Sequence, residues 1–165
     1  STLLQTSSGI RNKDACVVIV RTEWNTEIVD ALEAGALREL KKAGIRHIRV
    51  VTIPGAVEIP FTIRFDWQHP GKLKPADAYI ALGCVVRGGT PHFEYVCRTV
   101  TDGVLQLNLQ LPVPVIFGVL TVDNPQQARE RVGGEEGHKG EEAALTALKM
   151  MALMESRTAR KKRKK

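Results

Sequence analysis

The apolar positions of the chain switch between two spacings from one end to the other. Short continuous runs rich in Val and Ile alternate with longer stretches in which apolar residues return every three or four positions. ACVVIVR (15–21), HIRVVTI (47–53), AYIALGCVV (78–86) and VPVIFGVLTV (113–122) are of the first kind and predict strands. NTEIVDALEAGALRELKKAG is of the second kind. Ile28, Leu32, Ala36 and Leu40 share one helical face, Asn25 or Thr26 can cap its start, and Gly44 can end it. AVEIPFTIRF predicts a helical or mixed segment, HFEYVCRTVTDGVLQLNLQ a second long helix, and PQQARERV a short helix capped by Asn124 and started by Pro125. A last helix follows GGEEGHKG, with Ala144, Leu145, Leu148, Met151 and Ala152 on one stripe, while WQHPGKLKP is a loop by its prolines and glycine. Four apolar strands separated by helices predict the α/β class: a four-stranded parallel sheet covered on both faces, a three-layer α/β/α sandwich.

Composition adds the domain count. A chain of 165 residues, 43% hydrophobic, can bury one core of single-domain size, so one domain over residues 1–156 is expected. The net charge of +6 is carried by the end of the chain. Seven of the 24 basic residues lie in the acid-free stretch RTARKKRKK (157–165), which leaves 17 basic against 18 acidic residues for the rest. A terminal block of like charge is expected to be a disordered, solvated tail, with nucleic acid or a targeting receptor as its functional alternative. The near-neutral body has no basic stripe interleaved with aromatics. No apolar run reaches the roughly 18–20 residues that span a bilayer, and STLLQTSSGIRNKD lacks the pattern of a signal peptide, so a soluble, non-secreted protein is expected. Cys16, Cys84 and Cys97 are odd in number, far apart and set in apolar segments, and they read as buried free thiols.

Candidate chemistry gathers where the strands end, because ligands of open parallel sheets bind outside the carboxyl ends of the strands. Trp24 follows the first strand and offers a ring that can stack on a planar ligand or pack under a loop. Glu58 follows the second, between apolar neighbours in PGAVEIP, and reads as a site carboxylate or a turn residue. After the third strand comes RGGTPHF. Glycines admit close backbone approach, a helix start adds partial positive charge and Thr90 adds a hydroxyl, so Gly88, Gly89 and Thr90 suit a phosphate. The segment lacks the Lys of a P-loop and the spacing of a dinucleotide fingerprint. His92 stands where an imidazole can exchange protons with the bound group, or simply start a helix. Arg131 offers a bidentate grip on phosphate, and Lys139 opens a helix against the direction its dipole favours. His47, His69 and His138 read as strand-start and loop residues, and no metal-ligand spacing links the histidines.

EWN, PGAVEIPF, ALGCVVRGGTPHFEYVC and PVIFGVLTVDNPQQARERVGGEEGHKGEEAALTALKM, in this order and spacing, resemble the lumazine synthase (6,7-dimethyl-8-ribityllumazine synthase) family over about residues 15–154. The resemblance implies a flavodoxin-like topology and a transferase of riboflavin biosynthesis that needs no cofactor or metal. Its reaction, the penultimate step of that synthesis, condenses 5-amino-6-(D-ribitylamino)uracil with the ketose phosphate 3,4-dihydroxy-2-butanone 4-phosphate. By motif position, His92 is the proton-transfer residue and Gly89, Thr90 and Arg131 hold the phosphate. Trp24 stacks on the pyrimidine, Ala56, Val57 and Glu58 line the ribityl and pyrimidine site, and Cys84, Val85 and Val86 form its other side. Lys139 stands near the pyrimidine carbonyl, and Phe117 is contributed by a neighbouring subunit. The resemblance further implies homopentamers, with an icosahedral shell of sixty subunits favoured because RVGGEEGHKG carries no insertion, and an association with riboflavin synthase. It places the protein in the cytoplasm, or in the plastid stroma if from a plant. Three features depart from the family pattern: Val57 where an aromatic is common, a long DWQHPGKLKPAD loop, and the basic tail. A catalytically silent shell or a binding protein for flavin precursors is the alternative.

Overall fold

The computed structural model describes residue 10 and residues 12–162, with side chains as far as 158. Four strands, β1 (Cys16–Thr22), β2 (His47–Ile53), β3 (Ala78–Val86) and β4 (Val115–Val122), form one parallel sheet in the order β2-β1-β3-β4. The helices α1 (Thr26–Lys42), α2 (Ile59–Gln68), α3 (His92–Gln110), α4 (Pro125–Glu130) and α5 (Lys139–Lys162) connect or follow these strands. The result is the three-layer α/β/α arrangement with flavodoxin-like order.

Alternation along the strands divides the core in two. Val17, Ile19, Ile80 and Leu82 point to the layer of α1 and α5, where they meet Ile28, Leu32, Leu40, Ala144 and Leu148. Cys16, Val18, Val20, Tyr79 and Ala81 point the other way, to Ile59, Ile63, Val100 and Val104 of α2 and α3. The runs Cys16–Val20 of β1 and Ala78–Val86 of β3 are apolar because both faces are covered, whereas β2 lies at an edge and leaves Val50 41% exposed.

The punctuation of the sequence acts as its chemistry dictates. Asn124 caps α4 by accepting the N–H of Gln127 at 3.0 Å. Gly44, at φ 78°, ends α1 while its N–H and that of Ile45 donate to Lys41 O and Leu40 O. Gly103, inside α3, permits close passage of α2, since a Cβ there would overlap the Pro60 ring.

Several features differ from the sequence reading. Asn25 occupies the cap position of α1 in a left-handed conformation, φ 56°, but its side chain does not cap; its Nδ2 donates to Cys84 O at 2.7 Å. The glycine-rich stretch before α5 contains a small hairpin, β5 (Val132–Gly134) with β6 (Gly137–His138), turned with positive φ at Gly133 and Gly137. Arg131 follows the last residue of α4 instead of lying within it. Cys16 and Cys84 are buried free thiols, while Cys97 is half-buried. Helix α5 continues to Lys162, past the point where the sequence suggested a separate tail; residues 163–165 of that basic segment lie outside the described residues. No helix among the described residues is long and apolar enough to cross a membrane.

Candidate active site

At the carboxyl ends of β1, β2 and β3 the chain encloses a cavity of about 420 Å³. Each strand hands over to a segment that forms one wall. After β1, the backbone pairing with β2 continues beyond the strands, with Glu23 N–H donating to Ile53 O at 2.8 Å and Trp24 N–H to Pro54 O at 3.4 Å. That pairing holds Trp24 at the mouth with 73% of its surface exposed. An indole so exposed contributes little to the core and offers its face to a planar partner.

After β2, a 3₁₀ turn (Ala56–Glu58) carries Ala56, Val57 and Glu58 into the same cavity. Gly55 leaves room for both walls to meet: a Cβ there would lie 3.1 Å from Glu58 Oε2 and 3.6 Å from Trp24 Cδ1. Glu58 and Trp24 therefore share one patch of floor. Among the described residues the Glu58 carboxylate has no hydrogen-bond or ion-pair partner.

After β3, Cys84, Val85 and Val86 form an apolar side wall, and the Asn25 bond to Cys84 O ties that wall to the start of α1. Burial pushes the Cys84 thiol up to about 11, so at neutral pH it is an uncharged wall group and not a nucleophile. The chain then runs through Arg87, Gly88, Gly89 and Thr90 to the first turn of α3, where His92 is the first helical residue and lines the cavity. Packing does not require the two glycines. A Cβ on Gly88 or Gly89 would meet no heavy atom within 4 Å, and neither has positive φ. They leave open space beside backbone N–H groups at the positive end of a 19-residue helix, a setting that suits an anion. His92 is exposed, and among the described residues its ring has no hydrogen-bond partner.

Arg87, the cation nearest in sequence to this loop, is already engaged. Its Nε donates to Asp123 Oδ1 at 2.8 Å, its Nη1 to Glu94 Oε1 at 2.5 Å, and its Cζ stands 4.3 Å from the centre of the Phe93 ring. The hydrogen bond from Arg87 holds the Asp123 carboxyl below its ordinary range. Arg87 thus joins the ends of β3 and β4 to the first turn of α3, a link that composition and spacing did not reveal.

Five expected site residues do not line this cavity in the single chain: Gly89 and Thr90 lie on the loop between the lining residues Val86 and His92, and three others lie elsewhere. Phe117 and Lys139 line a second cleft of about 530 Å³ along β4 and the start of α5. Phe117 is 39% exposed on an edge strand, and Lys139 Nζ pairs with Glu142 Oε2 at 2.9 Å. Arg131 lines neither cleft; its Nη1 donates to Gln127 O at 2.8 Å, and its own carbonyl accepts the N–H of Lys139 at 2.8 Å. Thr22, Asn25, Gly55 and Val96 line the first cavity without having been singled out from the sequence, although Asn25 and Gly55 flank Trp24 and Glu58 in the quoted motifs. Among the described residues no group of three or more His, Cys, Asp or Glu is arranged to hold a metal ion.

Comparisons with known proteins identify the family. The sequence model of the 6,7-dimethyl-8-ribityllumazine synthase family matches residues 14–155. The 6,7-dimethyl-8-ribityllumazine synthase of Parabacteroides distasonis is 47% identical over 135 residues, covering 81% of this chain and 82% of the relative. Those of Phocaeicola vulgatus and Porphyromonas gingivalis are 47% identical over 139 and 144 residues, covering 83% and 86% of this chain and 80% and 86% of the relatives. The chain belongs to the 6,7-dimethyl-8-ribityllumazine synthase family.

Proposed function

We propose that the chain condenses 5-amino-6-(D-ribitylamino)uracil with 3,4-dihydroxy-2-butanone 4-phosphate to 6,7-dimethyl-8-ribityllumazine, with release of phosphate and two waters. The observation that carries this reading is the meeting, around one cavity, of an exposed indole, an unpaired carboxylate and an unpaired imidazole, with a glycine loop joining the lining residues Val86 and His92 whose space no described residue fills. Trp24 stacks on the pyrimidine. The Ala56–Glu58 turn and the Cys84–Val86 wall hold its ribityl arm and edges. Gly89 and Thr90 at the start of α3 receive the phosphate.

Chemistry then proceeds between two substrates held in register. The 5-amino group attacks the ketone and water leaves, giving an imine. Removal of a proton from the carbon chain expels phosphate; tautomerisation and attack of the ribitylamino nitrogen close the ring with loss of the second water. His92, two residues after Thr90 and lining the cavity, carries protons in these steps. Because amines and ketones condense without help, much of the acceleration comes from orientation.

Phe117, Arg131 and Lys139 complete the site from a neighbouring copy, since they lie apart from the cavity in one chain. The protein therefore works as a homo-oligomer, a pentamer or the icosahedral shell built from pentamers. Association with riboflavin synthase and a cytoplasmic location belong to the same reading, with the basic segment a solvated tail and nucleic acid its alternative role. A silent shell or a flavin-precursor binder has no use for the His92 ring beside an anion loop, and is not favoured. The test mixes purified protein with both substrates and follows lumazine absorbance and free phosphate. Equimolar product and phosphate well above the spontaneous rate are expected; pyrimidine binding without turnover would overturn the activity.

A further inference from the structure

His138 borders neither cleft, yet the fold gives it a defined place. It is the last residue of β6 and stands immediately before α5. Its ring lies against α1 at Gly35, where a Cβ would overlap Cε1 and Nδ1 and stand 2.8 Å from Nε2. The ring thus occupies the space that any other residue at position 35 would need. Two positions after His138, Gly140 makes a similar approach: a Cβ there would overlap the Leu32 carbonyl of α1. A glycine inside a helix weakens it relative to alanine, so the notch at Gly35 is costly unless something fills it. The same Nδ1 accepts, at 3.4 Å, the N–H of Glu141, the third residue of α5, which is the geometry of a helix N-cap.

Between these two anchors stands Lys139. Its N–H donates to Arg131 O, so the two cations assigned to the substrates hang on one hairpin of three- and two-residue strands. Strands that short do not hold themselves. We propose that His138 is a positioning residue: seated in the Gly35 notch and capping α5, it sets Arg131 and Lys139 in the register that the neighbouring copy's cavity requires. The proposal rests on the activity assigned above, because it concerns two residues of that site.

Steady-state kinetics with both substrates varied, and hydrogen exchange over residues 131–141, test it on the full-length assembly. His138→Ala is expected to raise KM for the ketose phosphate about tenfold, a loss of the size of a helix cap. His138→Asn, which keeps a capping oxygen, is expected to recover most of that loss. In an Arg131→Ala background, His138→Ala is expected to add less than about twofold, because its effect passes through Arg131. Gly35→Ala is expected to raise exchange over 131–141 in the wild-type background and to do so less once His138 is alanine. Full multiplication of the His138 and Arg131 effects, or an Asn variant no better than Ala, would overturn the proposal. If Gly35→Ala does not fold, the His138 series still decides. A wild type that does not turn over overturns the activity; exchange then decides the positioning alone, and unchanged protection in His138→Ala would overturn that as well.

Discussion

The two ends of the sheet use polar side chains in opposite ways. Near the amino ends of the strands, Arg49 grips both oxygens of Asp66 at 2.7 and 3.0 Å, and the Tyr79 hydroxyl donates to Asp66 Oδ2 at 2.7 Å. Arg49 and Asp66 are only 20% and 15% exposed, and the neighbouring Cys16 N–H donates to Asp77 Oδ2 at 2.7 Å. At the carboxyl ends, Trp24 is 73% exposed, and the side chains of Glu58 and His92 have no polar partner among the described residues. One end consumes its polar groups on one another and holds the fold; the other, beside the engaged Arg87, Asp123 and Asn25, keeps Glu58 and His92 available. Unpaired polar groups at the carboxyl ends are what distinguish a site from a scaffold here.

The strongest way to break that contrast is to remove the open His92, or the Arg131 proposed to meet it from a neighbouring copy, and look for a change in activity without a change in stability. Arg131→Ala is expected to lower kcat/KM for the ketose phosphate by roughly 10³-fold, as loss of a charge-assisted grip on phosphate. His92→Ala is expected to slow turnover by about a hundredfold without abolishing it, because orientation by the remaining residues persists. Both variants are expected to melt within a few degrees of the parent; a collapse of Tm in either would assign it to the fold instead.

The converse experiment acts on the closed end. Asp66→Ala leaves Arg49 and the Tyr79 hydroxyl without their acceptor and is expected to cost about 3 kcal/mol in denaturant unfolding, with kcat/KM of the folded protein unchanged. Its pH dependence has a definite sign. Burial tends to raise the Asp66 carboxyl, but hydrogen bonds from Arg49 and Tyr79 outweigh burial and hold it below the ordinary 3.8. The ionised form is thus favoured in the folded state. Its contribution is fully present above that ordinary value and is lost as pH falls through the lower, folded one. Asp66→Asn is expected to flatten this acid limb; a limb of unchanged slope would remove Asp66 from the explanation.

The smallest expected effect sharpens the available end. Val57 is 43% exposed beside Trp24, and Val57→Phe is expected to lower KM for the pyrimidine about threefold through one added aromatic contact. An increase in KM would show that the wall is already filled.

Local signals carried most of the fold. β-Branched runs marked the strands, Asn124 and Gly44 marked helix ends by their own chemistry, and the Gly-Gly-Thr segment before His92 marked the end of β3. What stayed hidden depends on partners far along the chain. Asn25 looks like a cap until Cys84 O, 59 residues later, takes its amide. The β5–β6 hairpin is too short and too rich in glycine to show a period, and His138 gains its meaning from Gly35 on α1. The separation of Phe117, Lys139 and Arg131 from the main cavity follows from the strand order, which places β4 at an edge. Spacing along the sequence contains no such information.

The most direct measurement mixes the purified wild-type protein with both substrates and records 6,7-dimethyl-8-ribityllumazine by its absorbance and fluorescence while free phosphate is counted in parallel. The polar groups left open at the carboxyl ends predict product and phosphate in equal amounts, far above the uncatalysed rate and strongly reduced in His92→Ala. A rate equal to the spontaneous one, with the pyrimidine still bound, would contradict the assignment of those groups to catalysis.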